Sequence, residues 1–116
     1  MARLMSSTEL HQRLEEDEDF VLVDVRDEEE YGDGHIPLAQ SIPLSNLKEN
    51  AEQALNKNQR VVVYGNNHDT PESNSAAKVL ESMGFRKVSD FDGGIYAWGR
   101  AGFHLETGLE TEDEEE

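Results

Sequence analysis

The sequence predicts an α/β domain with a mostly parallel sheet covered by helices. Three observations carry this expectation: two short runs rich in β-branched residues, Phe20-Val21-Leu22-Val23-Asp24-Val25 and Arg60-Val61-Val62-Val63-Tyr64; helix-spaced apolar residues between and after them; and the resulting order of strand, helix, strand, helix. At 116 residues the chain has room for one hydrophobic core and not for two. Residues 1–104 are therefore expected to form a single domain, followed by an acidic tail at 105–116.

Residues 6–16 open with a capping-box spacing, Ser6 to Glu9, and carry Leu10 and Leu14 four apart, which predicts a first helix. The run at 20–25 is too short for a typical helix and almost continuously apolar, so it reads as a strand buried on both faces. Asp27-Glu28-Glu29-Glu30-Tyr31 begins a short helix, and Gly32, Gly34 and Pro37 punctuate the loop beyond it. Residues 41–44 hold a brief strand that Pro43 confines to an edge. Leu47, Ala51, Ala54 and Leu55 share one face of a helix over 45–56, with Ser45 as its cap. The clearest strand, 60–64, leads into a long polar loop at 65–75. Ala76, Val79, Leu80 and Met83 then return to helical spacing, and Gly84 suits a left-handed C-cap. A strand at 87–91, the pair Gly93-Gly94 and a helix through Arg100, ending near Gly102, complete the pattern.

Twenty-six acidic against 10 basic residues give a formal net charge of -16, which repels nucleic-acid phosphates and anionic membrane surfaces. The imbalance peaks in the tail, where Glu106, Glu110, Glu112, Asp113, Glu114, Glu115 and Glu116 stand without a basic residue. Such a segment is expected to be disordered and to aid solubility. No run approaches the roughly 20 apolar residues of a membrane helix, and the start of the chain lacks the apolar stretch of a signal peptide, which predicts a cytoplasmic protein. With no cysteine, the chain itself supplies no disulfide, thiolate metal site or thiol nucleophile.

Open parallel sheets bind ligands beyond the carboxyl ends of their strands, so the loop after Tyr64 is the natural site. A loop entering a helix offers backbone N–H groups and the positive end of the helix dipole, which suits an anion. Here Gly65, Asn66, Asn67, His68, Asp69, Thr70, Pro71, Glu72, Ser73, Asn74 and Ser75 bring two carboxylates and no arginine or lysine. His68, Asp69 and Glu72 carry donor atoms but fall short of the convergent set that a bound metal needs, so neither a metal nor another cofactor is expected. Ser73 and Ser75 lack a readable base and oxyanion hole and are read as solvated loop and helix-cap residues. Asp24 and Arg26 are expected to pair and hold neighbouring loops, and His35 to brace its loop by hydrogen bonding rather than to transfer protons. Gly93 and Gly94 lack the lysine and spacing of a phosphate loop. They are read as a tight turn before the helix that Trp98 anchors to the core.

The run Val23-Asp24-Val25-Arg26-Asp27-Glu28-Glu29-Glu30-Tyr31, followed by Gly34-His35-Ile36-Pro37-Leu38-Ala39, resembles the first signature of the rhodanese-like family. Met83-Gly84-Phe85 with Val88-Ser89-Asp90-Phe91-Asp92-Gly93-Gly94-Ile95-Tyr96-Ala97-Trp98 resembles its closing signature, and the resemblance spans residues 6–103. It implies a single α/β domain on a parallel five-stranded sheet, with an active-site loop directly after the central strand. In active members a cysteine heads that loop and carries sulfur as a persulfide; phosphatase relatives use a similar loop for phosphate esters. At the corresponding position this chain has Gly65. The loop is also several residues longer than the family's tight one, and Asn74, just before Ser75, stands where active members commonly carry an arginine. A persulfide needs a nucleophilic sulfur, and glycine has no side chain to supply one.

The expected function is therefore binding or regulation through the loop at 65–75, since loops on a rigid scaffold commonly carry recognition. The matching partner is a protein with a basic surface, with no nucleic acid, no membrane, and weak or absent binding of small anions. The alternative is a sulfurtransferase-related enzyme that moves sulfur without a cysteine of its own or with a partner's cysteine.

Overall fold

Strands and helices alternate along the chain in the computed structural model, which describes residues 2–16 and 18–108. The described elements are β1 (Arg3–Leu4), α1 (Ser7–Glu15), β2 (Phe20–Asp24), α2 (Glu28–Asp33), β3 (Gln40–Ser41), α3 (Leu44–Ala54), β4 (Arg60–Tyr64), α4 (Glu72–Ser82), β5 (Val88–Phe91) and α5 (Gly94–Arg100). They form a five-stranded sheet in the order β1-β5-β4-β2-β3, with every pairing parallel and β4 at the centre.

Side chains alternate across a strand, so each strand feeds two cores. Val61 and Val63 of β4 join Val23, Leu47, Ala51, Ala76 and Leu80 beneath α3 and α4. Val62 and Tyr64 join Leu10, Leu22, Phe91 and Trp98 on the face covered by α1 and α5. All four of these β4 residues are fully buried. Helices on both faces are the arrangement that parallel β-helix-β units produce, and they leave the carboxyl end of β4 open to a loop.

Local chemistry explains most element boundaries and corrects some expectations. Ser6 caps α1 by accepting the Glu9 N–H at 3.1 Å. The reciprocal half of the capping box is missing, because the Glu9 carboxylate pairs with Arg3 and Arg13 instead. Asp27 caps α2 through the Glu30 N–H at 3.2 Å. Ser45 does not cap α3. The helix starts one residue earlier, with Pro43 at its N-cap and no side-chain cap bond, and the Leu44 N–H donates to the Val25 carbonyl at 3.0 Å. The edge strand expected at 41–44 is Gln40–Ser41, set by its register against Val23 and Asp24. β1 was not anticipated: it has only two residues, both exposed, and so carries no periodic signal. Gly84 does adopt a left-handed conformation, with φ 101°.

Leu38 takes φ 73° in a turn closed by the Ala39 N–H on the Ile36 carbonyl at 3.1 Å. Pro37 precedes it, and a positive φ after proline is the type II pattern that glycine normally serves.

Backbone bonds continue past residue 104, the boundary expected from the sequence. Residues 105–108 are held to the loop after α2: His35 N–H donates to the Glu106 carbonyl at 2.8 Å, Glu106 N–H to the His35 carbonyl at 2.9 Å, and Gly108 N–H to the Gly32 carbonyl at 2.8 Å. Backbone groups in that loop need partners, and Leu105 packs against the α1/α5 core, so this part of the acidic segment belongs to the domain. The rest of the tail, 109–116, lies outside the described residues. No helix among the described residues is long and apolar enough to cross a membrane.

Candidate functional site

β4 ends by delivering Gly65, itself buried, into the loop that follows. That loop covers 65–71 and not 65–75, because α4 begins at Glu72. Glu72, Ser73, Asn74 and Ser75 form its first turn, with the Ser75 N–H on the Pro71 carbonyl at 2.8 Å. Polar side chains of modest helix propensity are tolerated at a helix start, where they compete least with the intrahelical bonds. The loop also bonds to itself. Asn67 Oδ1 accepts the Asp69 N–H at 2.8 Å, and the Asn67 carbonyl accepts the Thr70 N–H at 3.2 Å.

Glu72 folds back over Gly65. Its Oε1 accepts the Asn66 N–H at 2.9 Å and lies 3.0 Å from the Thr70 hydroxyl. Asn66 Nδ2 reaches Glu72 Oε2 at 3.3 Å and Glu30 Oε2 of α2 at 3.2 Å. A Cβ on residue 65 would fall 2.5 Å from Glu72 Oε1 and 3.0 Å from Glu72 Cβ. The space that a side chain at 65 would need is thus filled by a carboxylate, which also takes the Asn66 amide. A negative group at the first turn of α4 is favoured by the helix dipole, so the protein supplies its own anion there.

α5 abuts the same loop. Ile95 N–H donates to the Gly65 carbonyl at 3.0 Å and Tyr96 N–H to the Asn66 carbonyl at 2.9 Å. Gly94, at φ 65°, makes the approach possible, since a Cβ there would lie 2.5 Å from the Gly65 oxygen. Gly93 caps α5, and Trp98 buries its ring edge-on against Phe91 while its Nε1–H donates to the His104 carbonyl at 2.8 Å.

His68 is highly exposed and turns to Asp92, with Nδ1 2.6 Å from Oδ2. That hydrogen bond, and then the Asp92 charge, raises its pKa above the ordinary histidine value. Among the described residues no three or more histidine, aspartate or glutamate side chains converge as a metal cluster. Ser73 departs from the solvated role expected of it: it is buried, because the first turn of α4 faces β5. Asn74 is exposed and Ser75 half-buried.

Beside the loop, Asp24 and Arg26 form a buried pair. Arg26 Nη2 donates to Asp24 Oδ2 at 2.8 Å, Nε to Oδ1 at 3.1 Å, and the Arg26 backbone N–H to Oδ1 at 3.0 Å. The guanidinium also donates to the Gly34 carbonyl, which ties β2 to the end of α2. Burial works against the Arg26 charge, yet Asp24 more than offsets it and leaves the pKa raised. Tyr64 accepts the Ile36 N–H at 3.1 Å, and burial, reinforced by Asp24, pushes its phenol far above the usual range. His35 is fully buried and stacks on Tyr31 at 3.8 Å. Its Nδ1 lies 2.9 Å from the Tyr31 carbonyl, a partner that can only accept, so Nδ1 carries the proton. These residues hold neighbouring loops together.

Sequence reasoning missed Glu30 and Asp92 as members of the site. It included Glu72 in the loop but not as the group that fills the space over Gly65. No spacing rule signals a side chain that doubles back across seven positions.

A central parallel strand, a loop at its carboxyl end and a glycine-linked closing helix define an α/β domain of the rhodanese type. The chain belongs to the rhodanese-like domain family, whose model matches residues 6–101. It is 33% identical over 105 residues to a sulfurtransferase of Allochromatium vinosum, covering 90% of this chain and 95% of that one. Against the thiosulfate sulfurtransferase GlpE of Coxiella burnetii it is 35% identical over 80 residues, 69% of this chain and 72% of that one. The Bacillus subtilis protein YrkF is 33% identical over 87 residues, and this chain spans only 45% of its length. Among solved structures, the rhodanese-like domain of the Anabaena sp. Alr3790 protein superposes with a TM-score of 0.85 at 31% identity, covering 100% of this chain and 91% of that one.

Proposed function

We propose that this chain is a noncatalytic rhodanese-like domain that acts as a binding or regulatory module through the loop after β4. One observation carries the reading: the Glu72 carboxylate occupies the room above Gly65 and accepts the Asn66 amide that would otherwise face an incoming anion. Glu30 stands beside it on the other side of Asn66. Thiosulfate or a phosphate ester would meet two carboxylates, no thiolate and no arginine. The exposed His68, Asp69 and Asn74 then serve as the contact surface, and a basic protein surface is the partner that matches their setting. The experiment compares proteins retained by the wild-type chain with those retained after residues 66–69 are replaced by Gly-Ser. Loss of a specific, salt-sensitive partner supports the reading; an identical set of partners overturns it.

The sulfurtransferases among the relatives favour a second reading, in which the domain shelters sulfur carried on a partner's cysteine. Thiosulfate-to-cyanide transfer by the isolated chain is expected at the no-protein background, and turnover above it would displace the first reading.

Restoring the missing thiol alone is expected to fail as well. In Gly65→Cys the new Cβ collides with Glu72, and a carboxylate beside the sulfur disfavours the thiolate. Gly65→Cys combined with Glu72→Ala clears the space and frees the Asn66 amide. Mass spectrometry after thiosulfate treatment is expected to show a gain of one sulfur atom in the double variant and little in the single one. Equal sulfuration of both would mean that Glu72 is no obstacle.

A further inference from the structure

A cleft opens between β1, α4 and β5. It encloses about 390 Å3, within the range of small-molecule sites, and Ala2, Leu4 and Ala77 give it apolar walls. Asp90 is among its lining residues, 1% exposed, and its Oδ1 has no hydrogen-bond partner among the described residues. Buried polar atoms in folded proteins are nearly always satisfied, so an orphaned carboxyl oxygen on a residue that lines an apolar cleft calls for a further donor.

We propose that this cleft binds a small amphipathic cation, a primary ammonium on a short apolar body, with Asp90 as the anchor. The ammonium supplies the absent donor as a charge-assisted hydrogen bond, and the apolar body replaces water against Leu4 and Ala77. Lys78 and Glu81 also line the cleft with opposite charges, so neither sign dominates there apart from Asp90. The formal net charge of -16 adds a long-range attraction for cations. Burial, and then Asp92, raises the Asp90 pKa.

The test titrates the full chain with n-hexylammonium, 1-hexanol and hexanoate while the backbone amides of Leu4, Ala77 and Asp90 are followed by NMR. Hexylammonium is expected to shift these amides saturably, hexanol to bind at least tenfold more weakly, and hexanoate to leave them unmoved. Asp90→Asn keeps the shape and removes the charge, and is expected to weaken hexylammonium binding at least tenfold. The proposal is overturned if no probe gives saturable shifts at these amides, if hexanol equals hexylammonium on the unmodified protein, or if Asp90→Asn binds undiminished. None of these results bears on the loop after β4.

Discussion

Replacing Arg26 with leucine is expected to lower the unfolding free energy by about 3–5 kcal/mol, because the change strands a buried carboxylate. Asp24 is fully buried and Arg26 supplies four of its hydrogen bonds, one from the backbone and three from the side chain. The same substitution frees the Gly34 carbonyl and unties β2 from the end of α2. Against a typical total of roughly 5–15 kcal/mol, such a loss leaves a domain that unfolds at low urea. Arg26→Leu combined with Asp24→Leu is expected to recover part of the deficit, since removing both charges also removes the desolvation penalty. Urea midpoints of the three proteins decide the matter: a single-variant loss below about 1 kcal/mol would mean that water reaches Asp24 and that the pair matters little.

Gly94→Ala is expected to cost about 3 kcal/mol, combining a left-handed alanine with overpacking against the loop backbone. The added Cβ would lie 2.5 Å from the Gly65 oxygen and 2.8 Å from the Asn66 carbonyl carbon, neither of which is a flexible tip that can swing aside. The Ile95 and Tyr96 amides would lose their acceptors, so their hydrogen exchange is expected to quicken more than that of the β4 amides. Gly99, in the same helix, is the control, because a Cβ there meets nothing within 4 Å. Gly99→Ala is expected to be neutral or to stabilise by up to about 1 kcal/mol. Equal effects at the two glycines would rule out close approach as the reason for Gly94.

The sheet was legible because its central strands announce themselves: Val61, Val62 and Val63 are apolar on both faces, as a strand covered by helices on each side must be. β1 was illegible for the opposite reason, since Arg3 and Leu4 are exposed and their placement comes from pairing with Ser89 and Asp90. The loop after Tyr64 could be located from topology, and the vacancy at Gly65 from the resemblance. What fills that vacancy could not be read, because Glu72 reaches it by a side-chain rotamer and not by a pattern. The loop was also read four residues too long. Ser73, Asn74 and Ser75 have the composition of a loop, and only the packing of Ser73 and Ala76 beneath the sheet makes them helical. His35 and Glu106 are 71 positions apart, and their mutual backbone bonds arise from tertiary geometry alone.

Both outermost strands of the sheet, β1 and β3, contain only two residues each. A neighbouring molecule seeking to extend the ladder would find almost no unpaired backbone to copy, and like charge would oppose its arrival. Concentrated solutions of this domain are therefore expected to resist the edge-to-edge growth that leads to fibrils.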